Sequence, residues 1–206
     1  MPAPTATSSV SAKSTTSDPP RRFATARAWH QWLEREHQRS DGLWLLIAKA
    51  GAERSTITYP QALEVALCFG WIDGQKKGID EHHWMQRFMP RRARSLWSKI
   101  NCSKAQALIE AGRMQPAGLA EVQRARADGR WDAAYDGARQ AAVPPDLQAA
   151  FDAAPQAAAF FETLDGVNRY AVLWRIATAK KPETRAQRIE KLTAMLARGE
   201  VIHPRR

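Results

Sequence analysis

Hydrophobic and polar positions follow two different periods along this chain. Between residues 23 and 37, Trp29, Trp32 and Leu33 recur at the spacing of one helix face, and Thr25 stands where a capping hydroxyl is wanted. Ser40-Asp41-Gly42 closes that segment. Residues 43–49 form a short apolar run between turn residues, the mark of a buried strand. A polar loop over 51–58 leads to Tyr59-Pro60, which opens a second helix with proline in its first turn and Leu63, Ala66, Leu67 and Gly70 on one face. An extended stretch then runs from Trp71 to Ile79, turns at Asp80-Glu81 and returns over 82–89, with Trp84 and Phe88 on one side and Met85, Arg87 and Met89 on the other. These runs predict a three-stranded antiparallel sheet. A tighter hairpin turning at Asp73-Gly74 is the alternative, because Asp-Gly is a strong hairpin signal; the longer pairing is preferred because it leaves two strands of comparable length.

Pro90 stops the last strand. Residues 91–95 lead into a predicted helix that runs to about Ala111, with Trp97, Ile100, Lys104, Leu108 and Ala111 on one stripe and Gly112 ending it. Another spans 116–128, between Pro116 and Gly129. Residues 131–145 are less regular, and Val143-Pro-Pro-Asp146 reads as a linker. Four helical segments follow, over 147–153, 156–163, 167–179 and 183–198; the last carries Ile189, Leu192, Met195 and Leu196 at helical spacing and is closed by Gly199. The predicted class is α+β: a core module over 21–142 with a small antiparallel sheet flanked by helices, then a C-terminal helical module over 143–206. Residues 1–20, rich in Ser, Thr, Ala and Pro, lack the apolar surface that would offset ordering entropy and read as a disordered tail.

Composition narrows the class without naming a chemistry. The 206 residues are 44% apolar and carry 31 Lys+Arg against 21 Asp+Glu, a net charge of +10. That excludes a disordered acidic chain, a collagen or a disulfide scaffold. No apolar run approaches the ~20 residues of a spanning helix. The two cysteines, Cys68 and Cys102, fit free thiols in a reducing compartment. The opening segment has no apolar stretch of the secretory kind, so the cytoplasm is the expected location.

The charge is concentrated. Between residues 82 and 113 seven Lys/Arg face one acid, Glu110, and from 180 to 206 eight face three. In the first stretch, Ser95 or Ser98 at a predicted helix start, with Arg91 and Arg92 beside it, would form an anion site from unpaired N–H groups and guanidinium forks. Trp84 and Trp97 would offer stacking surface, and Trp71, Asp73, Arg87 and Asn101 complete the candidate set. The plainer reading makes the serines caps, Trp97 core and the arginines a solvated face. Lys180, Lys181, Arg185 and Arg188 form a second basic patch around another helix start, where solvated Glu–Arg pairing is the plainer reading. His30, Glu34 and His37 share a helix face without a fourth ligand, and His82 and His83 point to opposite faces of a strand, so no metal or other cofactor is expected. No phosphate loop, dinucleotide fingerprint or nucleophile elbow appears, and no residue is assigned a catalytic role.

Three runs carry a resemblance: residues 66–74 (ALCFGWIDG), residues 87–98 (RFMPRRARSLWS) with Asn101, and residues 179–190 (AKKPETRAQRIE). In order and spacing, over residues 23–199, the chain resembles the bacteriocin-protection or YdeI/OmpD-associated family. The resemblance implies a link to antimicrobial-peptide protection and to an outer-membrane porin, but no catalytic residues. The expected function is a non-enzymatic stress-protection or binding protein whose basic-aromatic surface meets an anionic ligand or nucleic acid. The alternative is an enzyme acting on a phosphorylated or carboxylated small molecule in a cleft around Asp73, Arg87, Arg91 and Ser95. A protein partner could dock on the C-terminal helices. Oligomeric state is not fixed by the sequence.

Overall fold

A computed structural model describes residues 19–53 and 55–204. Apart from Pro19 and Pro20, the segment read as a disordered tail lies outside the described residues. The chain divides into two compact units: one holds the described residues up to Ser95 with Asn101–Asp132, the other Leu96–Ile100 with the described residues from Ala133 onward.

In the first unit, helix α1 (Ala26–Glu36) starts where Thr25 Oγ1 accepts from Ala28 N–H at 3.2 Å. Its inward face carries Trp29 and Leu33, both fully buried. Strand β1 (Leu43–Ala48) follows, then α2 (Tyr59–Cys68), opened by a capping box in which Thr58 and Gln61 satisfy each other's backbone N–H. Strands β2 (Trp71–Gly78) and β3 (His83–Pro90) complete an antiparallel sheet in the order β1-β3-β2. Helices α3 (Lys99–Glu110) and α4 (Pro116–Ala127) come next.

Register sorts the sheet into two faces. Leu43, Leu45 and Ile47 pair with Phe88, Gln86 and Trp84 on one face, which Trp71 and Asp73 join opposite Pro90 and Phe88. Here Trp29 meets Trp71 and Phe88 at ring-centroid distances of 6.1 and 5.9 Å and stacks on Trp32 at 5.3 Å, so the core is an aromatic cluster. The Trp29 indole N–H donates to Ala62 O at 3.1 Å. Asp73-Gly74 is a bulge rather than a turn, because the β2–β3 register slips between Asp73 and Lys76. The gap is filled by Gln86, 3% exposed, whose side-chain amide donates to Gly74 O and Gln75 O at 2.9 and 3.1 Å. Two glycines let α2 and α4 approach. An added Cβ at Gly118 would lie 2.3 Å from Cys68 O; Gly70 has φ +74°, and a Cβ there would lie 3.0 Å from Ala117 O.

The helix after Pro90 starts at the later of the two expected serines: it begins at Lys99, directly after Ser98, and buries Cys102, Ala105 and Leu108, while Ile100, expected on the same stripe, is 47% exposed. Within the second unit, Ser98 also bridges Tyr135: Lys99 N–H donates to Tyr135 O at 2.9 Å and Tyr135 N–H to Trp97 O at 3.0 Å. The Lys99 N–H is a first-turn donor that no helix carbonyl reaches, and the bridge satisfies it.

The second unit is built from α5 (Pro145–Asp152), α6 (Pro155–Glu162), α7 (Gly166–Ala177) and α8 (Pro182–Ala197). Three of these open on proline, and Asp165 caps α7 by accepting from Asn168 N–H at 2.8 Å. Their apolar faces meet in one core that includes Leu147, Phe151, Phe161, Val172, Ile176, Ile189 and Leu196. Three-stranded sheet and helices together make the fold α+β. Among the described residues no helix is long and apolar enough to cross a membrane.

Candidate functional site

The candidate residues of the 71–101 region are divided between the two units, Trp97 and Ser98 falling in the second and the others in the first. Trp71 and Asp73 lie on the core face of the sheet: Trp71 is buried, and Asp73 Oδ2 accepts from Tyr59 Oη at 2.8 Å. Arg87, one residue beyond the Asp73 partner Phe88, leaves from the other face, where its guanidinium reaches Asp41 O at 3.5 Å. Arg91 is buried at 5% exposure, and its N–H donates to Gly70 O. Trp97 (2%) and Ser98 (9%) belong to the second unit, and both are buried, so Trp97 offers no open stacking face. Asn101 is half-buried on α3.

Arg92 is exposed, together with Arg94, on a turn after β3. Ser95, which is no helix cap, closes that turn: Arg92 N–H donates to Ser95 Oγ, and Ser95 N–H returns to Arg92 O, both at 2.9 Å. Arg130, 8% exposed, holds the turn from behind. Its Nη1 donates to Ser95 O at 2.8 Å while its Nε binds the Asp128 carboxylate at 2.8 Å. Other cations of this stretch are used up: Lys104 and Arg113 both face Glu64, at 4.0 and 3.5 Å, and in the second unit Lys99 pairs with Asp136 at 2.9 Å.

The sheet carries a basic-aromatic pattern absent from the sequence-based set. Lys76 Nζ sits 4.2 Å from the Trp84 ring centroid and Lys77 Nζ 4.9 Å from that of Trp44. Both lysines are exposed on edge strand β2, where charge also discourages pairing with another chain. The available signal was the adjacent Lys76-Lys77 pair opposite tryptophan-bearing strands.

In the second unit, Lys180 and Lys181 are exposed before α8. Arg185 is a staple: its Nη2 donates to Asp146 Oδ1 at 2.8 Å and its Nη1 to Ile176 O at 2.9 Å. Its guanidinium hydrogen bond holds the Asp146 carboxyl below the usual carboxylate range. Arg188 likewise donates to Arg175 O. Among the described residues no three His, Cys, Asp or Glu side chains gather as metal ligands. His30 and His37 lie against Phe69 instead, at 4.9 and 5.3 Å.

Fold and surface thus define a class: an α+β unit with an aromatic core and a basic sheet edge, joined in sequence to an α-helical unit. Residues 140–199, which contain all four C-terminal helices, match the family model described as Bacteriocin-protection, YdeI or OmpD-Associated (OmdA). Residues 21–121 match a separate model, a domain of unknown function (DUF8412). The run at 179–190 therefore falls in the OmdA match and the other two runs fall in the second. No curated protein and no solved structure matches the chain.

Proposed function

We propose that the protein is a non-catalytic binding protein of the cytoplasm, serving stress protection by engaging nucleic acid, single strands first, through the basic edge of its first unit. One observation carries the reading: Lys76, Lys77, Arg92 and Arg94 are exposed cations with no acidic partner among the described residues, and two of them lie over tryptophan rings. Strand β2 begins opposite Pro90, just before the arginine turn, and five residues of strand, roughly 16 Å, separate Trp71 from Lys76. That span suits a few phosphates of an extended strand. Trp84, half-buried, supplies a ring for a base when Lys76 turns to a phosphate.

The test is anisotropy of a labelled twelve-nucleotide oligothymidine across a salt series. Lys76 and Lys77 leave opposite faces of β2, so a strand on one face meets three of these cations, and three phosphate contacts predict a log–log salt slope of about −2 for a single strand. Arg92→Ala with Arg94→Ala should weaken binding about tenfold at low salt and flatten the slope by more than one. Absence of binding at low salt, or an unchanged double variant, would overturn the reading. The enzyme alternative finds no support in the geometry, since Asp73 and Arg87 diverge across the sheet and Arg91 is buried.

A further inference from the structure

The second unit has a surface that the nucleic-acid reading does not use. An open groove of about 780 Å³ runs along the first turns of α7, lined by Tyr135, Val167, Tyr170 and Trp174, with Arg139 and His203 at its rim. Val167 is 66% exposed and Trp174 38%, so two of the four large apolar side chains left exposed among the described residues lie in this one groove. Apolar area gathered in a concavity, with a few polar groups at its edge, is the usual build of a small-molecule site.

Its walls are fixed in advance. Tyr135 stands perpendicular to Trp174 with centroids 6.3 Å apart, and one perpendicular neighbour covers at most one face of the indole. The Tyr135 backbone is held by its bridge to Ser98. Tyr170 Oη donates to Asp136 O at 3.0 Å. His203 is held by the buried Asn168, whose amide accepts from His203 N–H at 2.8 Å and donates to His203 O at 3.2 Å. Little ordering therefore remains for a ligand to impose.

The rim sets the sign of the charge. Arg139 is exposed without an acidic partner among the described residues, while the nearby acids are occupied: Asp136 by Lys99, Asp146 by Arg185 and Asp165 by the N-terminal turn of α7. We infer that this groove binds a small planar aromatic anion, its ring on Trp174 between the two tyrosines and its negative group at Arg139 and His203. The requirement is double: a flat ring without charge lacks the rim contact, and a compact anion such as phosphate lacks the stacking contact.

The probe is 1-anilinonaphthalene-8-sulfonate, with neutral N-phenyl-1-naphthylamine as its uncharged counterpart, titrated into the full chain and followed by fluorescence and by the tryptophan indole cross-peaks in ¹H–¹⁵N spectra. The sulfonate should bind with unit stoichiometry, move the Trp174 cross-peak and outcompete the neutral probe. Trp174→Ala should weaken it about tenfold, the usual loss of one stacking partner. Arg139→Gln, at an exposed position that threatens no core, should weaken the sulfonate roughly threefold, on the scale of an exposed charge contact, and leave the neutral probe unchanged. The Arg92→Ala, Arg94→Ala protein should bind as wild type, separating this site from the nucleic-acid surface. Retention of affinity within twofold by Trp174→Ala, equal binding of the two probes by wild type, or loss of binding in the arginine-turn variant would each overturn the inference.

Discussion

The two basic stretches, 82–113 and 180–204, look alike as strings of residues and do opposite things in the fold. In the first, a buried arginine from a distant position, Arg130, holds a turn that pushes Arg92 and Arg94 into solvent. In the second the arginines themselves point inward: Arg185 ties α8 to Asp146 and to the end of α7, and Arg188 caps a carbonyl of α7. The first stretch presents Arg92 and Arg94 while Arg91 and Arg113 stay in the fold, and the second spends Arg185 and Arg188 on structure. Net charge per window therefore measures supply, and only the placement of acids and carbonyls decides what is left to bind.

The sharpest break in this comparison is Arg130→Ala. The side chain is 7% exposed, and its loss removes the side-chain donor to Ser95 O and the guanidinium half of the Asp128 ion pair. Removing one partner of a buried pair costs up to about 5 kcal/mol; because Asp128 is 43% exposed, about 2–3 kcal/mol is expected. Urea unfolding should report that loss, and oligothymidine affinity should fall with it as the arginine turn loosens. A change below about 0.5 kcal/mol would mean that the turn does not depend on this staple.

Arg185→Ala should cost less, about 1 kcal/mol, because Asp146 is 45% exposed and water screens the pair. Oligothymidine binding should stay within twofold, and a parallel loss of affinity would erase the distinction between presenting and structural arginines. The same pair carries a pH signature. Arg185 depresses the folded-state pKa of Asp146, so the contribution is present above roughly pH 4 and is lost as pH falls through the lower folded value. Stability of wild type relative to Asp146→Asn should therefore decline on acidification below pH 4, by less than about 1 kcal/mol, and a flat difference would remove the ion pair from the account.

These cases show what could be read along the chain. The helices of the second unit open at Pro145, Pro155 and Pro182 or behind Asp165, local signals that place each start within a few residues of its expected position. Strand β1 was legible as a short apolar run between turns, and β2 and β3 as two stretches of comparable length on either side of Asp80-Glu81. The charge partners were not. Lys99 finds Asp136 37 residues away, Arg185 finds Asp146 39 away and Arg113 finds Glu64 49 away, and no window count contains such pairs. Of the two serines expected at a helix start, Ser98 is the one that directly precedes α3, while Ser95 closes the arginine turn, a role that its local sequence does not distinguish from a cap. The aromatic groove went unseen because its walls come from 135–139, α7 and His203, and only the fold puts them side by side.

A chemical readout is available at Cys102, which lies inside the first basic stretch. Arginines beside a thiol ordinarily favour the thiolate, and Arg91 and Arg126 do pull in that direction. Burial outweighs them and pushes the thiol up to about 11. At pH 8 the native thiolate fraction is then about two orders of magnitude below that of a free cysteine, so a disulfide reagent should modify Cys102 at least that much more slowly than the unfolded chain. The unfolded thiol ionises first, near pH 8.5, so stability is full below that value and falls as pH rises toward about 11. Cys102→Ala should show a shallower decline between pH 8 and 10 in urea unfolding. Rapid labelling of Cys102 in the native protein would instead place an anion-stabilising pocket around Arg91, and would make the interior of the first stretch, rather than its exposed turn, the place where its charge acts.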